Sequence, residues 1–438
     1  MLSNKTTVFT KGLRSVYTGK LYEINKFKYI CETEEEKSVI DVVYDFEKIK
    51  AHIETEGWPL NNPGIWKYAP LLPLPLERTD CFSPLIVGDT PLYKINHSIN
   101  GFNNVFVKDE GRNPTASLKD RASAVVVSMA LFQNEKVITT ASTGNAAAAL
   151  CGIAAPIKSL EKIIFVPKRI PQAKLAQLLV YGAKVFLVDG SYDDAYDLCE
   201  KATKKFGWYS RSTAYNYFTI EGKKTVSFEI CNQLAQLLKL KPKENQKGNL
   251  QFEAPDCIFV SVGDGNIISG VHKGLKELFE LKLIEKIPKI VGVQAEKSNY
   301  IYNLWKNQKE RSQEQYESTD TIADSISACY PRDQTRAVRA AKETNGLYIT
   351  VSDEEIVKAI PHLAQCSGVF PEPAAAAGWA GFLKFTQDEK YQNFLKKDDK
   401  IVIISTGNGL KDINTAKMSV ENKEPPLIKS LEDIEKFQ

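Results

Sequence analysis

From about residue 104 onward the sequence keeps repeating one unit: a short apolar run, a turn signal, then ten to fifteen residues with helical spacing. Seven runs fit the first part of that unit: 104–109 (NVFVKD), 136–141 (KVITTA), 162–167 (KIIFVP), 184–189 (KVFLVD), 256–262 (DCIFVSV), 289–295 (KIVGVQA) and 400–406 (KIVIIST). Most are apolar on both faces, as strands of a parallel sheet covered by helices must be. Strands alternating with helices imply βαβ units and a doubly wound α/β architecture. A chain of 438 residues exceeds one ordinary core, so two lobes or more are expected.

The flanks read differently. Residues 1–85 cluster Pro and Trp in WPLNNPGIWKYAPLLPLP (58–75) and form a separate arm. Residues 241–255 are polar and aperiodic, an exposed loop or insertion, and the chain after Asp412 is a short surface helix or a frayed tail. No repeat of fixed period occurs.

Charge and composition narrow the partners. The balance of 57 Lys+Arg against 54 Asp+Glu favours neither nucleic acid nor an anionic membrane, and leaves a small-molecule substrate. Residues 1–20 lack the apolar stretch of a secretory signal, and no run is apolar enough to span a membrane, so the expected compartment is the cytosol. Eight cysteines stand singly, without a C-x-x-C pair, which fits buried thiols better than disulfides or a zinc site. His52, His97, His272 and His362 are isolated, so no metal is expected, and His272 reads as a surface residue.

Four stretches lie where strands give way to helices, the edge at which open parallel sheets collect ligands. They are NPTASLKDR (113–121), TASTGNAAAA (140–149), SVGDGNIISG (261–270) and STGNGLKD (405–412). In the first, Asn113-Pro114 turns, Ser117 can cap, and Lys119 opens a helix whose apolar face is AVVVSMALF. A lysine at a helix start is ordinarily a solvated charge. On a rigid, partly buried start, however, its amine loses protons readily and becomes a nucleophile. Gly263 and Gly265 precede a helix, so Gly263, Asp264, Gly265, Asn266 and Ile267 can cradle a phosphate with backbone N–H groups. A nicotinamide fingerprint would want a third glycine where Ile268 stands. Ser142, Thr143 and Gly144 offer hydroxyls and free amides that suit a carboxylate, or are an ordinary helix cap.

Together these stretches resemble the threonine-synthase branch of the fold type II pyridoxal-phosphate enzymes, as do PGIWKYAPLLPLP (63–75), GDTPLYKI (88–95) and STAYNYFTIEGKKT (212–225). The resemblance implies two doubly wound parallel-sheet lobes with the cofactor between them. It places a large domain at 86–112 and 212–438, a small domain at 113–211, and the arm, a zinc-knuckle-like module without zinc around the lone Cys31, at 1–85. It further implies that Lys119 carries pyridoxal 5'-phosphate on its amine, that Asn145 bonds the cofactor's phenolic oxygen, and that Thr406 faces the ring nitrogen. Ser142, Thr143 and Gly144 then hold the amino-acid carboxylate. PEPAAAAGWAG (371–381), with Glu372, resembles another stretch near the site.

The reaction implied is O-phospho-L-homoserine to L-threonine and phosphate. Related synthases commonly carry a substrate-phosphate arginine where this chain has Thr219, so another cation must substitute. Lys223, Lys224, Arg211 and Arg121 are the candidates, with Lys224 taken as the substrate-binding residue. Other readings stay open: a serine/threonine dehydratase, a cysteate- or diaminopropionate-forming enzyme, a non-catalytic binder of the cofactor and, at a distance, a nicotinamide dehydrogenase. The fold type usually forms homodimers, and the Trp and Pro of the arm suggest a dimer contact.

Overall fold

The computed structural model describes residues 7–241, 248–307, 320–420 and 425–435, the side chains of 192 and 193 excepted. Residues 242–247 of the expected 241–255 loop lie outside that description, and the rest of the loop buries Leu250 and Phe252. All seven expected strands form. They fall into two sheets: four strands ordered Lys184–Val188, Glu161–Pro167, Val137–Ala141 and Tyr209–Ser210, and six ordered Leu347–Val351, Lys289–Ala295, Cys257–Ser261, Ile401–Ser405, Val105–Asp109 and Leu92–Lys94. Every pairing is parallel except that of Leu92–Lys94 with Val105–Asp109. Central strands such as Cys257–Ser261 and Ile401–Ser405 are buried throughout, which explains their unbroken apolar sequence.

The arm has a sheet of its own, Leu21–Tyr22, Thr10–Ser15 and Ile40–Tyr44, with a small Cys31–Glu32/Lys37–Ser38 hairpin. Its hub is Glu36, whose carboxylate accepts from Ser15 and Tyr22 at 2.8 Å each and from the Cys31 thiol at 3.2 Å. Among the described residues no group of three His, Cys, Asp or Glu side chains is placed to hold a metal. Trp58 and Trp66, expected at a dimer contact, are buried in this chain's own core beside Phe252 and Phe82. No described helix is long and apolar enough to cross a membrane.

One buried ionic cluster ties the lobes' helices together. Arg121 reaches Glu110 at 2.6 and 2.7 Å and Glu229 at 2.7 and 2.9 Å, while Lys108 reaches Glu229 at 2.8 Å. Two cations thus meet two carboxylates, the even balance that makes burial of charge tolerable. His272 departs from expectation: it lies on the expected helix, Asn266–Glu280, but is buried, and burial depresses its pKa to about 4.

Candidate active site

In the six-stranded sheet Cys257–Ser261 runs on through a helix to its neighbour Lys289–Ala295, while Ile401–Ser405, the last strand in the chain, lies on its other side. The carboxyl ends of these strands are where an open parallel sheet forms its ligand crevice. Three of the four stretches singled out in the sequence emerge from strand ends of the two sheets: Ser142–Gly144 follows Val137–Ala141, Gly263–Gly265 follows Cys257–Ser261, and Thr406 follows Ile401–Ser405.

The fourth carries Lys119, first residue of the helix Lys119–Phe132. Ser117 does not cap that helix. Leu118 takes the cap position, and its amide donates to the Thr406 carbonyl at 2.9 Å. Asn408 donates to Ala116 O at 3.1 Å, with Ala116 in the left-handed region at φ 62°. Asp120 closes the turn from within, accepting from the Thr115 amide at 2.6 Å and from the Thr115 hydroxyl. Lys119 is thereby fixed at its backbone, while its half-buried amine takes part in no hydrogen bond or ion pair among the described residues. Burial pushes its pKa down; Arg211 and Lys411 add to this, and Glu372 and Asp264 partly offset it. The amine is therefore neutral, and nucleophilic, more often than a surface lysine's.

Two helices aim open N-termini at the crevice. Asn145–Ala154 has Gly144 as its cap and Asn266–Glu280 has Gly265, and neither receives a side-chain cap. Their first amides therefore remain available to anions. The glycines are required where they stand. Gly265 has φ 89°, and a Cβ there would lie 2.9 Å from Asp333 O; a Cβ on Gly263 would lie 2.8 Å from Ile326 Cα. Asn145 donates to both oxygens of Glu372, at 2.9 and 3.0 Å, and burial raises the Glu372 pKa against the pull of Asn145 and Lys119. Ser142 Oγ accepts from the Gly144 amide at 3.2 Å.

With that geometry in place, likeness to known proteins becomes informative. A family profile described as "Pyridoxal-phosphate dependent enzyme" matches residues 84–407. Threonine synthase of Methanocaldococcus jannaschii is 34% identical over 92% of this chain and 93% of its own. That of Halalkalibacterium halodurans is 35% identical over 80% and 90%. The chain belongs to the threonine synthase family of pyridoxal-phosphate-dependent enzymes. Solved structures share the fold: maize serine racemase at a TM-score of 0.61 and 24% identity covers 77% of this chain and 92% of its own. Diaminopropionate ammonia lyase of Escherichia coli does so at 0.62 and 17%, covering 76% and 88%.

The family's cofactor is pyridoxal phosphate, and the crevice fits it. It presents an unpaired lysine amine, an uncapped glycine-turn helix for a phosphate, and Ser117 and Ser405 hydroxyls buried beside the Thr406 seam without partners among the described residues. Of the expected site residues, the structure brings Lys119 near Asp264 and near Glu372, which Asn145 holds, with Thr406 bonded to the adjoining Leu118; Ser142, Thr143, Gly144, Gly263, Gly265, Asn266 and Ile267 lie on the helix-start turns of Asn145 and Asp264. It does not gather Lys224, whose Nζ is sealed between Glu221 at 2.5 Å and Glu277 at 2.8 Å, over the Tyr44 ring. Arg121 is likewise committed to the ionic cluster.

Sequence reasoning did not reach Asp333 and Arg336. Asp333 accepts from Asn266 Nδ2 at 2.7 Å and from Arg336 at 2.6 Å, and Arg336 continues to Asp41 of the arm at 2.7 Å. The available signal was an acid and a base three residues apart at a helix start.

Proposed function

We propose that the chain converts O-phospho-L-homoserine and water to L-threonine and phosphate, with Lys119 as the residue that binds pyridoxal phosphate covalently and then moves protons. The observation that carries this is the Lys119 amine, unpaired among the described residues and depressed in pKa by burial, facing helix N-termini left open for anions. When bound, the cofactor withdraws electrons from the substrate's Cα and so makes the Cα and Cβ protons removable. Lys119, freed as substrate takes its place, collects and returns those protons.

The remaining roles follow from chemistry at each position. Gly263, Asp264, Gly265, Asn266 and Ile267 hold the cofactor phosphate at the start of Asn266–Glu280. Asn145, released from Glu372, donates to the phenolic oxygen. Ser142, Thr143 and Gly144 bind the substrate carboxylate at the start of Asn145–Ala154. Thr406 offers a neutral hydroxyl to the ring nitrogen, which favours elimination over transamination. In this reading the small lobe is 113–211, the large lobe 86–112 with 212–438, and the enzyme is a cytosolic homodimer. Buried thiols at Cys31, Cys81, Cys151, Cys199, Cys231 and Cys257 suit a reducing compartment.

The test is direct. Purified protein should be yellow, borohydride should bleach it and leave the added mass on Lys119, and Lys119→Ala should be colourless. Given O-phosphohomoserine, it should release phosphate and threonine in equal amounts. Release of a ketoacid instead would make it a dehydratase, and neither product would end the proposal.

A further inference from the structure

Among the described residues Lys108, Lys223 and Lys224 are buried and Lys119 is half-buried, and three of these four are accounted for. Lys108 and Lys224 each touch carboxylates, and Lys119 is the cofactor's residue. Lys223 is different. It is 1% exposed, yet among the described residues its one hydrogen bond is to a neutral amide, Asn266 Oδ1 at 2.7 Å, and none of their carboxylates lies within ion-pair distance.

We propose that Lys223 is the cation that binds the anionic side-chain group of the substrate, taking the place that Lys224 was expected to fill. This rests on the reading of the site given above and adds to it the residue that reads the anion at the end of the substrate's side chain.

The geometry gives Lys223 that task in three ways. Asn266 cannot turn its oxygen elsewhere, because its Nδ2 is held by Asp333 at 2.7 Å, so Oδ1 faces Lys223 and, at 3.4 Å, the Thr219 hydroxyl. Asp333 in turn is paired with Arg336, so it does not supply Lys223 with a contacting charge. Finally, cations press on it: after burial, Lys119 and Arg211 push the Lys223 ammonium well below its usual pKa, and Asp264 and Asp333 offset them only in part. A buried cation in such company is stable only when an anion arrives to share the enclosure. The cofactor phosphate already has the amides and dipole of Asn266–Glu280, and Lys223 reaches only the side chain of that helix's first residue. A second anion, the substrate's own, completes the balance.

Lys223→Gln in the holoenzyme tests this against wild type. Cofactor binding, followed by absorbance titration, should be unchanged. KM for O-phosphohomoserine should rise roughly ten- to a hundredfold with a smaller change in kcat, as loss of one charge-assisted contact implies. Inhibition by inorganic phosphate should weaken by a similar factor, while the absorbance change on adding L-homoserine, which lacks the anion, should keep its midpoint. Thr219→Arg added to Lys223→Gln returns a cation one turn away and should recover part of the loss.

Unchanged KM and phosphate inhibition would overturn the proposal. So would weakened cofactor binding with KM unaltered, which would give Lys223 to the cofactor's phosphate instead. If Lys223→Gln does not fold, Lys223→Met, an apolar replacement that buried ion sites tolerate, is read in the same way. Wild-type protein that ignores O-phosphohomoserine would refute the assigned reaction, and phosphate binding by the two proteins would still decide the role of Lys223.

Discussion

Gly222→Ala should damage both folding and catalysis, and the structure says by how much. Gly222 lies in Phe218–Lys223, the short helix laid directly across Lys119–Phe132. A Cβ there would run into the Arg121 carbonyl, with Arg121 C at 2.5 Å and Ala122 Cα at 2.8 Å, where ordinary contact begins at 3.4 Å. The obstacle is backbone, so no rotamer change relieves it, and the helices must part by more than 1 Å. Overpacking of this kind costs about 1–3 kcal/mol and here belongs at the upper end. Alanine's better helix propensity returns about 1 kcal/mol, leaving a net loss of about 2 kcal/mol. Because the same contact sets Lys119 beside Lys223, a displacement of about 1 Å should also lower kcat/KM by roughly a hundredfold. Urea unfolding and phosphate release measure the two effects. Gly378→Ala, where the nearest atom is Ser261 Oγ at 3.2 Å, is the control. Gly222→Ala with wild-type stability and turnover would refute the close helix contact on which the argument stands.

Glu229→Gln leaves Arg121 and Lys108 facing Glu110 alone in a sealed site, so it should cost about 3–5 kcal/mol in unfolding free energy. Attachment of pyridoxal phosphate to apoprotein requires a neutral Lys119. Since burial lowers that pKa, the rate of colour formation should rise with pH and reach its midpoint below the ordinary lysine value of about 10.4, and a midpoint at or above that value would contradict the burial seen here. Asp333→Asn leaves one oxygen where the carboxylate served both Arg336 and Asn266, so Asn266 loses the acceptor that orients it, and KM for O-phosphohomoserine should rise several-fold while cofactor colour persists.

Much of this was legible in the residues, and the failures have physical causes. Strands covered on both faces announce themselves as apolar runs, and glycine turns mark where backbone must come close to a ligand. Leu347–Val351 was missed although Asn345-Gly346, with Asn345 at φ 51°, turns straight into it. Thr10–Ser15 reads TKGLRS, the middle strand of the arm's small sheet, whose one apolar residue, Leu13, makes no pattern to detect. Lys223 and Lys224 are adjacent on a stretch buried all round, so periodicity could not say which turns toward the crevice and which toward Glu221 and Glu277. His272 was placed on the right helix, but which side chains from residues far along the chain would cover it is a tertiary fact.

The backbone bonds joining Ala116 and Leu118 to Asn408 and Thr406 span nearly the whole distance between the crevice's first and last segments. During synthesis Lys119 leaves the ribosome long before Ile401–Ser405 exists. Until that last strand inserts, the turn ahead of the lysine helix lacks its partners at Thr406 and Asn408. The turn that fixes the lysine is thus closed only after the last strand of the six-stranded sheet has been made.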